Sequence, residues 1–320
     1  MIRIYRSSRN AWEPSAIASE GWSLPDDALW IDMVEPTPDE DAAVERALNL
    51  AIPTREEMAE LEASSRLYRE NGATYVTADI IRNGDQEIPT IDPVTFVITD
   101  GPMVTIRYFE PKPFAMLQEK LAREPGVCVT GASMFLNLME AVIDRASDIL
   151  ARNGQRVERI GNQIFSGAKS VGFEKLITRL GRANIANARI EQSLAGLART
   201  FAFVGLDERI SSAPDAQAHL VSLTRDAESL IAHSQAVAAS INFQLSAALG
   251  LINIEQSSII KIFSVAAVAF MPPTLIASIY GMNFDHMPEL HWMQGYPLAV
   301  AAMVIAAVLP LLWFKKKGWL

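Results

Sequence analysis

The sequence predicts an α+β membrane protein: an N-terminal cytoplasmic α/β domain, a long stalk helix and two transmembrane helices per chain. Three observations carry that prediction. Two apolar runs, 259–280 and 297–314, stand close together near the C-terminal end. Strand-like and helix-like segments alternate through the first third of the chain. Between these regions a helical pattern opens at Pro214 and meets no further proline until Pro272.

The first apolar run is 22 residues long with the single charge Lys261, and the second is 18 residues long with none. At helical rise they reach about 33 and 27 Å, close to the roughly 30 Å of a bilayer's hydrocarbon core. A pair of buried core helices is the alternative, but core helices of this length normally show a polar face. Lys315, Lys316 and Lys317 follow the second run, whereas the formal charges of the connecting segment are Asp285 and Glu289. Basic flanks stay on the cytoplasmic side, so both termini are expected in the cytoplasm and the acidic loop outside. Trp292, Tyr296, Trp313 and Trp319 fall near the expected interfaces, where amphipathic rings are favoured.

The 320 residues carry a formal net charge of −9, and half of them are hydrophobic. The acidic balance argues against a nucleic-acid partner. A lone cysteine, Cys128, excludes an intrachain disulfide framework and any multi-cysteine metal site. The start, Met1-Ile2-Arg3-Ile4-Tyr5-Arg6, is too polar for a secretory leader. No P-loop or nucleophile elbow is present, so no enzyme is expected.

In chain order, strands are expected at 1–5, 28–34, 74–82, 92–99 and 103–108, rich in Ile, Val, Thr and aromatics. Asp100-Gly101-Pro102 reads as a hairpin turn. Thr37-Pro38-Asp39-Glu40 and Thr54-Arg55-Glu56-Glu57 read as capping boxes that open helices. A short helix is expected at 113–123, then long ones at 132–165, 173–203 and 214–280. The domain boundaries that follow are 1–125 for the α/β domain and 126–258 for the helical region with its stalk. The first span is 259–280, the outer loop 281–296, the second span 297–314 and the basic tail 315–320.

A helix over 214–280 would be 67 residues and about 100 Å long. From 229 to 284 it carries one acid before the loop, Glu255, and one base, Lys261. So few charges imply burial on nearly all sides, by copies of itself and by the preceding helices. At 3.5-residue spacing the positions Ser257, Ile260, Ser264, Ala267, Met271, Thr274 and Ser278 form one stripe, continued upstream by Asn253 and Ser246. Small and hydroxylated residues in lipid face either neighbouring helices or a wet lumen. Two spans cannot enclose an ion path, so a transporter of this design must be a symmetric homo-oligomer.

Asn283 follows Gly281 and Met282 at the outer end of the first span. A ring of carboxamides offers uncharged oxygen acceptors, which suits Mg2+ held through its hydration shell. Gly281 would leave room for backbone carbonyls, and Asp285 and Glu289 would concentrate cations. A plain helix cap by Gly and Asn is the alternative. His286 and His291 are a weaker pair of candidate Zn2+ or Co2+ ligands.

Tyr280-Gly281-Met282-Asn283 followed by Met287-Pro288-Glu289-Leu290 resembles the outer loop of the CorA magnesium and cobalt transporters. The likeness extends through Gly250-Leu251-Ile252-Asn253-Ile254-Glu255-Gln256, Pro272-Pro273-Thr274 and the ending Phe314-Lys315-Lys316-Lys317-Gly318-Trp319-Leu320, as in the enterobacterial-type branch. It covers about 70 residues at the C-terminal end. The resemblance implies a homopentamer, four further copies around each chain, with the first span lining the pore. It implies that Gly281, Met282 and Asn283 form the selectivity filter. Met271 and Thr274 would face the pore, and Ile260 and Phe263 its inner constriction. Lys261 and Lys315–Lys317 would form a basic collar. It implies transport of Mg2+, also Co2+ or Ni2+, across the inner membrane, with closure when cytoplasmic Mg2+ binds between subunits. Asp226, with Glu228 nearby, resembles that regulatory site, although a solvated helix face remains the alternative. No organic cofactor is implied. Two rival functions share the scaffold: zinc transport, and a non-conducting membrane-anchored sensor.

Overall fold

The computed structural model describes residues 1–7, 11–15, 22–60, 62–124, 126–166, 172–283, 285 and 287–319. Two compact units divide the chain, Met1–Leu245 and Ser246–Leu320.

The first unit is built on a mixed sheet of β1 (Ile2–Arg6), β2 (Ala11–Ser15), β3 (Ala28–Val34), β4 (Leu67–Glu70), β5 (Ala73–Arg82), β6 (Thr90–Ile98) and β7 (Met103–Arg107). The spatial order is β2-β1-β3-β7-β6-β5-β4. Only β3 and β7 run parallel, with Asp32 opposite Thr105; the other pairs are antiparallel. The expected turn at Asp100-Gly101-Pro102 joins β6 to β7, which pair with Val97 opposite Val104. The strands β2 and β4 were not expected. Both lie on the sheet's edges, and their sequences, AWEPS and LYRE, lack the apolar alternation that marks a half-buried strand.

One face of the sheet carries Ile2, Ile4, Met33, Tyr75, Val97, Val104 and Ile106. Val44 of α1 (Pro38–Leu48) and Met58 of α2 (Arg55–Met58) complete that core. Both expected capping boxes are present: the Thr37 hydroxyl accepts from the Glu40 N–H, and the Thr54 hydroxyl from the Glu57 N–H. The second box opens only a single turn, followed by the equally short α3 (Ala63–Arg66).

The other face lies beneath α4 (Lys112–Arg123), α5 (Gly131–Phe165) and α6 (Phe173–Val204). Phe135 of α5 meets Phe96 edge-on at 5.8 Å. The Ser193 hydroxyl of α6 donates to the Asp79 carbonyl of β5 at 2.6 Å. At the start of α5 a Cβ on Gly131 would lie 2.5 Å from the Gly101 carbonyl oxygen, so only glycine lets the helix abut the β6–β7 turn.

Within this interior sits an ion pair that the strand pattern conceals. Asp32 and Arg107 are both fully buried and meet through two hydrogen bonds, 2.9 Å from Nε and 2.7 Å from Nη2. Thr105 donates to Asp32 at 2.8 Å, and the Trp30 indole donates to Thr105 at 2.9 Å. The guanidinium also lies 4.7 Å from the Phe114 ring centroid.

A second polar knot ties the helices to the sheet edge. Asp207 precedes α7 (Glu208–Ser211), caps it through the Arg209 N–H at 2.9 Å, and accepts from the Thr74 hydroxyl at 2.6 Å. Burial disfavours the Asp207 carboxylate, but hydrogen bonds from the Arg209 side chain and Thr74 outweigh it and hold the group at about 2.

The long helix α8 (Pro214–Tyr280) has the expected bounds and all 67 residues. Inside the first unit its buried or half-buried residues Leu220, Leu223, Ala227, Leu230, Ser234, Val237, Ile241 and Gln244 alternate at three and four residues. That is the seam of a helix packed along its length against others. The Asn187 side chain of α6 donates to the Ser234 carbonyl at 2.9 Å. Gly161 of α5 makes room for Gln244, whose amide would lie 2.7 Å from a Cβ there.

The second unit comprises the remainder of α8, a 3-10 turn at Pro288–His291 and α9 (Gly295–Lys316). The most apolar windows of α8 and α9 have mean hydropathies of 1.9 and 2.3, with only 11% and 6% of their residues buried. A core helix of a globular protein would be mostly covered, so exposure of this kind fits lipid or partner chains.

Candidate functional site

The candidate site is the second unit's part of α8 and the segment beyond it. Residues 253–264 are exposed all round within the single chain. Further along, Val265 and Ala269 are buried and Pro272 and Ile276 half-buried. Their spacing of four, three and four places them on one side of the helix. On the second span Ala299, Met303, Ala306 and Pro310 are half-buried and Phe314 is buried.

At about 100° per residue, the stripe from Ser246 through Asn253, Ser257, Ile260, Ser264, Ala267, Met271, Thr274 and Ser278 lies roughly opposite the covered side of α8. Each of its residues is exposed in the single chain. Phe263, 72% exposed, falls at the stripe's edge. Lys261 lies off the stripe and is exposed.

Pro272 and Pro273 sit inside α8 without ending it. Neither has an N–H, so the carbonyls of Val268 and Ala269 lose their intrahelical donors. One turn on, the Thr274 hydroxyl donates to the Phe270 carbonyl at 2.7 Å. With its proton turned to the backbone, the Thr274 oxygen keeps lone pairs for an outside donor or a cation's water.

At the outer end Gly281 donates to the Ala277 carbonyl at 2.9 Å and Met282 to that of Ile279 at 3.3 Å. Gly281 does not take the positive φ that a glycine helix cap commonly uses. A Cβ there would stand 3.1 Å from the Ala277 carbonyl oxygen, a tight contact that a shift of a few tenths of an ångström relieves. Met282, Asn283 and Asp285 follow with exposed side chains. Glu289 lies in the 3-10 turn, and His291 at its end is exposed. His286 and the Glu289 side chain lie outside the described residues.

The second span closes on a basic, aromatic end. Gly318, at φ +73°, lets the Trp319 N–H reach back to the Phe314 carbonyl at 3.0 Å. Lys317 lies 4.6 Å from the Trp313 ring centroid, and Lys315 and Lys316 occupy the last turn.

In the first unit Asp226 and Glu228 are exposed on α8. Asp226 acts on Asp144 of α5, whose carboxyl is raised above its ordinary range by burial first, then by Glu140, Asp148 and Asp226. Glu140, Asp144 and Asp148 recur every four residues along one face of α5, a pattern visible in the sequence whose partner helix was not. His219 of α8 approaches Glu140 at 3.9 Å. Among the described residues no three His, Cys, Asp or Glu side chains stand ready to hold a metal.

Taken together, these features define a two-span membrane protein with a mixed-sheet domain, a long helix running into its first span and an uncharged Gly-Met-Asn segment beyond it. A family profile described as CorA-like Mg2+ transporter protein matches residues 25–316, and the chain belongs to that family. The chain is 33% identical over 294 residues to the magnesium transport protein CorA of Salmonella typhimurium, covering 92% of each. It is also 33% identical over 293 residues to that of Escherichia coli, again with 92% coverage of each. Among solved structures, CorA from Methanocaldococcus jannaschii aligns over 100% of this chain and 98% of its own, with a TM-score of 0.81 and 18% identity. The full-length CmaX protein aligns over 99% and 97%, with a TM-score of 0.74 and 14% identity.

Proposed function

We propose that the protein carries Mg2+ across the inner membrane through a homopentameric pore, and accepts Co2+ and Ni2+. The observation that carries this reading is the exposed hydroxyl stripe opposite the covered side of α8, ending at Asn283. Copies arranged about an axis would cover this stripe and wall a wet passage with it. Gly281, Met282 and Asn283 are the filter, holding the hydrated ion through amide and backbone oxygens. Asp285 and Glu289 raise the local cation concentration at the mouth. Ile260 and Phe263 form the inner constriction, and Lys261 with Lys315–Lys317 the basic collar. Both termini lie in the cytoplasm, as the basic flanks require. The domain boundaries at 125, 258, 280, 296 and 314 belong to the same reading, as does the absence of catalysis and of an organic cofactor.

Regulation follows from Asp226 and Glu228. Internal Mg2+ bridges Asp226 to acids of the adjoining subunit and cancels repulsion that otherwise splays the copies. Asp144, Glu140 and Asp148 add to the negative potential there.

Flux into proteoliposomes tests both parts. Purified protein should admit Mg2+, with Co2+ competing and Zn2+ ineffective; Zn2+ as the preferred ion would favour the zinc-transport rival, and no flux the non-conducting one. Asp226→Asn should need several-fold more internal Mg2+ for half-inhibition, about 1 kcal/mol of coupling. An unaltered inhibition curve would return Asp226 to a solvated face.

A further inference from the structure

Away from this site, α5 is electrostatically split along its length. At about 100° per residue, Glu140, Asp144 and Glu158 fall on one side and Arg145, Arg152 and Arg156 on the adjoining side, with Asp148 and Arg159 at the border between them. The acidic side looks to α8, where Glu140 approaches His219 and Glu158 lines a groove with His233. The basic side looks to the loop joining β5 to β6.

That loop is pinned by cations from three helices. Lys112 and Arg145 bond Asp85. Arg152 donates to the Gly84 carbonyl at 3.0 Å, Arg156 to the Glu87 carbonyl at 2.9 Å, and Arg189 to the Pro89 carbonyl at 2.7 Å. Arg182 bonds the Glu87 carboxylate at 2.9 Å. Gly84 packs so closely on α5 that a Cβ would lie 2.3 Å from Ile149 Cδ1. Six cations therefore meet two carboxylates, Asp85 and Glu87, a local excess of four positive charges in a chain of net −9. Arg156 and Arg189 bond loop carbonyls, which satisfies a guanidinium without cancelling its charge, whereas Arg152 also lies 3.5 Å from Asp85 and Arg182 pairs with Glu87. Arg156 and Arg182 each spend a single N–H on the loop, and Arg182 is 52% exposed. Arg159, one turn beyond Arg156, bonds the Gln155 carbonyl of its own helix and no other group among the described residues.

We propose that Arg152, Arg156, Arg159 and Arg182 form a binding site for a soluble polyphosphate, of the kind a nucleoside triphosphate carries. Guanidinium forks match phosphate oxygens in pairs. The loop holds the forks of Arg152, Arg156 and Arg182 in place before the ligand arrives, so less side-chain freedom is lost on binding. Arg152, Arg156 and Arg159 span two helical turns, about 10 Å, which favours a chain of phosphates over a single one.

The test is calorimetric titration of inorganic tripolyphosphate into the full chain in detergent, at low salt, with EDTA to remove Mg2+. Saturable binding is expected, weakened about tenfold or more in the double variant Arg156→Gln/Arg182→Gln. Because those side chains also pin the loop, Arg159→Gln is the cleaner probe. It should weaken binding about threefold, lower the slope of log affinity against log salt by about 1, and leave the melting temperature unchanged. Arg123→Gln, in an exposed pair with Glu119 on α4, should bind as the parent does. Absence of binding, equal binding by the arginine variants, or an equal loss in Arg123→Gln would overturn the proposal.

Discussion

Asn283→Ala is expected to lower Mg2+ uptake at least about tenfold, equivalent to 1.4 kcal/mol of lost discrimination or more, while the protein still reaches the membrane and assembles. The alanine removes the only side-chain oxygen of the Gly281-Met282-Asn283 segment and leaves α8 untouched, since Asn283 lies beyond its end at Tyr280. A hydrated Mg2+ held through amide oxygens would lose its outermost anchor in every copy at once. Uptake measured with an Mg2+-sensitive dye, beside a mass measurement of the detergent-solubilised protein, separates the loss of function from a loss of assembly. Unchanged uptake with normal assembly would remove Asn283 from the filter.

Asp32→Ala is expected to destabilise the first unit by about 3–5 kcal/mol, because it leaves a buried guanidinium with the exposed Glu110 carboxylate as its counter-charge. Arg107 would keep its contacts with Phe109 and Glu110, but the two bonds to Asp32 are the ones made where both partners are fully buried. Replacing both charges, as in Asp32→Leu/Arg107→Met, should recover most of the loss, since well-packed apolar residues often match a buried pair. Thermal melting of the two variants decides this. A single variant that melts with the parent would mean that water reaches Arg107 and the pair contributes little.

Legibility from sequence followed the strength of the local signal. Pro214 as a first-turn residue, the lack of any further proline before Pro272 and the apolar run ending at Tyr280 were enough to place α8 at its observed ends. The capping boxes at Thr37 and Thr54 were equally direct, because they depend on two residues three apart. The edge strands β2 and β4 were hidden because an edge strand needs no apolar face of its own. Asp32 and Arg107 fall inside expected strands, but nothing local reveals that they meet across a parallel pair 75 residues apart. The stripe on α8 was visible as a 3.5-residue repeat, but its position opposite the covered side required the burial of Val265 and Ala269 in the folded chain. The acids of α5 were on the page from the start, whereas their nearness to Asp226 depended on how α5 and α8 pack.

If several copies turn the stripe inward around water, its residues are reached by water-borne reagents and those of the lipid-facing side are not. Cys128 is buried and its thiol is pushed up to about 12, chiefly by burial, so it is a silent background for cysteine labelling. Ser264→Cys, Met271→Cys and Ser278→Cys should react with a small water-soluble thiol reagent and lose Mg2+ uptake as they do. Val304→Cys, 56% exposed on α9, should stay unlabelled in lipid. Stripe cysteines that resist the reagent while Val304→Cys reacts would contradict the pore.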